Sequence, residues 1–127
     1  MIEREVVERF LGYVRVDTQS DPESSSSPST PGQRDLANML AQELEDLGLR
    51  DVRVTEHGYV MATLPANTES RYRVGFISHL DTAPDASGRD VKPIIHGDYQ
   101  GGDIKLPHGV ISLKENPELM NYVGQDI

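Results

Sequence analysis

The residues best suited to chemistry in this chain are His79 and Asp81. They lie in the stretch Val74-Gly75-Phe76-Ile77-Ser78-His79-Leu80-Asp81-Thr82-Ala83-Pro84-Asp85. An imidazole can give one nitrogen to a metal ion, while a carboxylate close by fixes its tautomer or orients other parts of the site. Two positions apart in extended backbone, the two side chains project to the same side. The pattern alone is weak: His-x-Asp recurs by chance, and a surface pair in a turn reads the same way. Its setting adds weight. Val74, Phe76 and Ile77 form a short apolar run that predicts a buried strand, with Gly75 allowing close approach of a neighbouring backbone. The run stops at Ser78, so the pair falls where a strand leaves a sheet. Open α/β sheets hold their ligand-binding groups there.

The other histidines are poorer candidates. His57, followed by Gly58, fits a hairpin turn, and His96 and His108 lack partners at metal-ligand spacing and read as surface residues. With no cysteine, disulfides and thiolate sites are excluded, so any metal must use His, Asp or Glu.

The elements that must carry these residues can be read in order. Ile2, Val6, Phe10 and Val14, with Val7 and Leu11 beside them, recur at helical spacing opposite Glu3, Arg4, Glu8 and Arg9. They predict an amphipathic helix whose stripe is ordinary core packing. Residues 17–30 include the run Ser24-Ser25-Ser26-Ser27-Pro28-Ser29-Thr30 and read as a loop. A second helix is expected from Pro31 to Leu47. Thr30 is its N-cap, Pro31 takes the first helical position, and Gln33 stands at the capping-box position. Leu36, Leu40, Leu44 and Leu47 form its stripe, Met39 belongs to the core, and Gly48 stops it. Strands are expected around Val52–Val54, at Tyr59–Leu64 and at Tyr72–Ser78. Beyond Asp85 come weaker strand signals at Val91–Ile95 and Val110–Leu113, a turn-dense Gly97–Ile104, and a helical turn or two within Glu115–Tyr122.

Composition bounds the function. A chain of 127 residues is at most one ordinary domain, with 36% hydrophobic residues, two Phe and no Trp to build a core. Twelve Lys and Arg against 21 Asp and Glu give a net charge of -9. That argues against nucleic acid or an anionic membrane as a partner. No apolar run reaches membrane-spanning length and the N-terminus lacks a secretory pattern, so a cytoplasmic location is expected.

Four stretches, taken together, resemble the peptidase T family of tripeptide aminopeptidases, within the zinc exopeptidases and deacylases that include aminoacylase and glutamate carboxypeptidase. They are Glu8–Val14 followed by Asp17-Thr18-Gln19-Ser20, then Pro28-Ser29-Thr30-Pro31-Gly32-Gln33, then Val74–Asp85, then Tyr99-Gln100-Gly101-Gly102-Asp103-Ile104. The resemblance implies an α/β fold: residues 1–127 would be the N-terminal portion of a catalytic domain, a mixed β-sheet flanked by helices. It implies His79 as a ligand of one zinc in a two-zinc site and Asp81 as the catalytic aspartate beside it. The family chemistry is zinc-assisted hydrolysis that releases the N-terminal residue of a small peptide, with a Glu moving the proton.

The family's metal-bridging Asp, its general-base Glu, its other zinc ligands and its lid domain have no counterpart in these residues. A catalytic zinc ordinarily takes three protein ligands and an open position. The isolated chain is therefore expected to be inactive, with unpaired sheet edges that favour homo-oligomers or strand swapping. Two other readings stay open: a dipeptidase or acyl-amino-acid deacylase using the same site, and a non-catalytic interaction module on a degenerate peptidase fold.

Overall fold

The computed structural model describes residues 2–69 and 71–127. The side chains of Ile2 and Glu3, assigned above to opposite helix faces, and Ser70 lie outside the described residues. The chain forms two compact units, Met1–Lys92 and Pro93–Ile127.

The first unit contains helix α1 (Ile2–Tyr13), helix α2 (Pro31–Asp46) and an antiparallel hairpin of β1 (Arg50–Val54) and β2 (Val60–Thr63). α2 packs on both strands. Its ends follow local chemistry. Pro31 opens the helix after an extended Thr30. At the other end, Gly48 takes φ +82. Its N–H donates to the Glu45 carbonyl at 2.8 Å, and the Leu49 N–H donates to the Leu44 carbonyl at 3.0 Å. That pair of bonds is a Schellman motif, and glycine is favoured there because a Cβ disfavours a positive φ. Leu36 and Ala37 are buried, Leu40 and Leu44 half-buried, and Leu47 exposed, so the stripe is covered at its N-terminal end.

The hairpin turns at Glu56-His57, as expected. The Thr55 N–H donates to the Tyr59 carbonyl at 2.9 Å and Gly58 carries φ +81. Pairing runs Arg50↔Thr63, Arg53↔Met61 and Val54↔Val60, with a bulge between Arg50 and Arg53 where Asp51 has φ +55.

Two expectations for this unit are corrected. Val6, Val7 and Phe10 of α1 are exposed, so the stripe is not core packing along its length. Val74–Ile77 belongs to no strand among the described residues. Phe76 is 95% exposed, and a Cβ on Gly75 would meet nothing within 4 Å. A strand is stabilised by its neighbours, and this segment joins neither outer edge of the two-stranded β1–β2 sheet.

The second unit holds the hairpin of β3 (Ile104–Leu106) and β4 (Gly109–Ile111), then a 3₁₀ helix over Pro117–Tyr122. Tyr99 and Ile104 are buried. β3 begins where a turn-dense segment was expected, and Val91–Ile95 forms no strand. The C-terminal residues return to pair with His96 and Tyr99: His96 N–H to Ile127 O at 2.8 Å, Ile127 N–H to His96 O at 3.0 Å, and Tyr99 N–H to Gln125 O at 2.9 Å. His96 is consequently half-buried, with Nε2 shielded from solvent, and not the surface residue expected. The α/β character holds, with its strands in two antiparallel pairs. The parallel contact in the described chain is a single bridge between Gln19 and Thr82.

Candidate functional site

His79 and Asp81 do meet. The His79 Nδ1 lies 2.8 Å from the Asp81 carbonyl oxygen and 3.2 Å from its Oδ1. A carbonyl can only accept, so Nδ1 carries the proton and, in the neutral ring, Nε2 keeps its lone pair. The imidazole is 84% exposed and the Asp81 side chain 47% exposed, so this nitrogen is open to a ligand. A metal-binding histidine that donates its other N–H to a carboxylate or a carbonyl has this arrangement. The fit extends to one ligand with its orienting partner. Among the described residues, no three or more of His, Cys, Asp and Glu gather as a metal-binding group.

A strand end does not hold the pair. What fixes it begins one residue later. Thr82 donates its N–H to the Thr18 carbonyl at 3.1 Å and accepts the Ser20 N–H at 2.9 Å and the Ser20 hydroxyl at 3.0 Å. Gln19 reaches past it, its Nε2 donating to the Pro84 carbonyl at 2.8 Å. The Asp17–Ser20 segment is in turn pressed on the start of α2. The Thr30 hydroxyl donates to the Gln19 carbonyl at 2.9 Å instead of capping its own helix. A Cβ on Gly32 would stand 1.7 Å from the Asp17 carbonyl oxygen, so glycine is required for that approach. Thr18 and Gln33 are the buried polar residues here, 3% and 7% exposed.

A concavity of about 830 Å³ opens beside His79. Phe76–Asp81 line one side, His57–Ala62 another, and Ser26–Ser29 with Gln33 complete it. His57, read from sequence as a turn residue, is in the turn and also faces this space. Its Nε2 is 3.5 Å from Glu56 Oε1. The Ser-rich run, read as a plain loop, contributes wall. Position in space, not residue type, brings both in, and a sequence carries no local signal for that.

A second concavity, about 320 Å³, is lined by Glu5, Glu8, Arg9, Glu43, Asp46 and Leu47 and shares none of those residues with the first. Here Arg9 donates to Glu43 Oε2 at 2.7 Å, and the Tyr13 hydroxyl donates to the same oxygen. Burial, then the bond to Glu43, pushes the Tyr13 hydroxyl pKa up. Bonds to Tyr13 and Glu43 raise that of Arg9 further. This knot ties α1 to α2.

No family model matches the chain. It is similar along 99% of its length to proteins named Peptidase T. The one from Geobacillus thermodenitrificans is 53% identical over 130 residues, that from Bacillus velezensis 50% and that from Listeria innocua 49%. The chain spans 32% of the length of each of these relatives. No helix among the described residues is long and apolar enough to cross a membrane.

Proposed function

We infer that this chain is a segment of a peptidase T-type metallo-aminopeptidase that releases the N-terminal residue of tripeptides in the cytoplasm. The observation that carries this reading is the His79–Asp81 pair, preorganised in a chain about half identical to Peptidase T along nearly all its length. His79 would hold zinc through Nε2. Zinc, when bound, supplies Lewis-acid polarisation of a peptide carbonyl and brings the pKa of water toward neutrality.

The chain's own residues do the rest. The Asp81 carbonyl and carboxylate hold the Nδ1 proton, which keeps the ring in one tautomer and makes Nε2 the better donor. The concavity beside His79 has room for a small peptide. A net charge of -9 favours the substrate's free ammonium group. A second zinc and the general base would draw on donors beyond these residues, and the 127-residue chain alone is expected to be inactive.

The test is tripeptide hydrolysis by two proteins: this chain alone, and this chain joined to the part of the Geobacillus thermodenitrificans relative that it does not cover. Each is assayed with zinc and with a chelator. Chelator-sensitive cleavage by the joined protein alone is expected, with kcat/KM falling by about 100-fold or more on His79→Ala. Faster turnover of dipeptides or acylated amino acids would replace the tripeptidase with the related activities. Inactivity of the joined protein with every substrate would leave a non-catalytic interaction module.

A further inference from the structure

We propose that Gln33, in the first turn of α2, is a positioning residue for His79 and Asp81. The inference rests on the peptidase reading for its catalytic consequence and on the hydrogen-bond geometry for its structural one. Gln33 is 7% exposed and its carboxamide is nearly saturated. Nε2 donates to the Ser29 hydroxyl at 3.0 Å and to the Thr18 carbonyl at 3.4 Å, while Oε1 accepts the Ser29 N–H at 3.1 Å. A capping-box residue would instead accept from the Thr30 N–H. Gln33 is thus turned toward the loop.

The Thr18 carbonyl links the two ends of this chain of contacts, since it takes the Gln33 amide on one side and the Thr82 N–H at 3.1 Å on the other. Thr82 directly follows Asp81. Val74–Ile77, preceding the pair, joins no strand. Fixed geometry therefore reaches His79 and Asp81 from the Thr82 side. A buried amide whose groups are all committed resists displacement, because moving it would leave donors and acceptors unpaired away from water. The Ser29 hydroxyl bound by Gln33 also accepts the Asp21 N–H at 3.1 Å, so both ends of the loop converge on one side chain.

Gln33→Met tests this, because methionine fills a similar volume and keeps the packing while deleting every bond. Amide hydrogen exchange on the 127-residue chain reads the Thr82 and Ser20 N–H groups against Thr55, whose N–H closes the β1–β2 turn. Exchange at Thr82 and Ser20 should speed up by about tenfold with Thr55 unchanged, the consequence of one buried hydrogen bond lost. Unchanged Thr82 exchange overturns the proposal. If Thr55 accelerates equally, the variant has loosened the whole unit and Ser29→Ala decides, with a selective rise of about threefold expected at Thr82 and none overturning the proposal.

In the joined protein, Gln33→Met should lower kcat by about tenfold at near-constant KM and reduce zinc retention, with wild-type behaviour recovered on reversion. An inactive parent would defeat the peptidase reading and leave the exchange result to decide the positioning. An active parent with unchanged kcat and zinc retention in the variant would overturn the positioning while the peptidase reading stood.

Discussion

Two segments of the first unit flank the candidate site, and they are built on opposite principles. Asp17–Ser20, with the start of α2, is a knot of short-range polar bonds, buried at Thr18 and Gln33 and admitting no side chain at Gly32. Val74–Ile77 is an apolar run outside any strand, with Phe76 and Ile77 facing solvent. The polar segment is the ordered one. Its partners sit within 15 residues of each other, apart from Thr82 and Pro84, so loop closure costs little and each bond is made inside the unit. The apolar segment needs neighbours on both sides to be buried, and it joins neither edge of the β1–β2 sheet. The difference puts the rigidity of His79–Asp81 on its C-terminal side.

The strongest way to break that contrast is a matched pair of substitutions. Gly32→Ala places a methyl 1.7 Å from the Asp17 carbonyl, a backbone atom that cannot move aside without pulling the loop off α2. It should destabilise the unit by about 3 kcal/mol or more, read by urea unfolding. Gly75→Ala meets nothing within 4 Å and should stay within about 0.5 kcal/mol of wild type. Equal effects at the two positions would remove the distinction between an ordered and an open flank.

This contrast also explains what could be read from the sequence. The α2 boundaries were legible because Thr30-Pro31 and Gly48 act through their own backbone geometry. The His57-Gly58 turn was legible for the same reason. The closeness of His79 to Asp81 is expected from period-two spacing on a strand, but the element carrying them is not a strand, and that spacing does not account for the Nδ1 contact with the Asp81 carbonyl. Val74–Ile77 was misread because an apolar run states what a segment needs and not whether a partner is present. Gln33 was read as a helix signal, and its bond to Thr18 depends on a loop folding back over 15 positions. No local pattern encodes that. β3 was missed because Ile104-Lys105-Leu106 is three residues long and its pairing with Gly109-Val110-Ile111 comes from the turn between them.

A substitution on the open flank sharpens the comparison with a smaller effect. Ile77→Ser removes an exposed apolar side chain that makes little contact, so unfolding should shift by less than about 0.5 kcal/mol. Self-association should fall, because an exposed apolar run outside any strand is what a second chain would cover. Sedimentation at rising concentration reads this. A loss of stability comparable to that of Gly32→Ala would mean that Ile77 is packed in solution.

The smallest effect lies in the knot between α1 and α2, and its sign follows from one proton. The Tyr13 hydroxyl donates to Glu43 beside Arg9, and its pKa in the folded chain is pushed above the ordinary value of 10.0, by burial first and by the bond to Glu43 second. A phenol with a raised folded pKa binds its proton more tightly in the folded state. Its contribution to stability is complete below pH 10 and is lost as pH rises through the folded value, when a phenolate would face the Glu43 carboxylate. The informative quantity is the difference between wild type and Tyr13→Phe, which isolates this one hydroxyl. That difference should be flat from pH 7 to about pH 10 and shrink above it, by less than about 0.5 kcal/mol because solvent still reaches and screens this half-buried group. A difference that instead grew with pH would require Arg9, not Glu43, to govern the hydroxyl, and because both lie on α1, Tyr13 would then not tie α1 to α2.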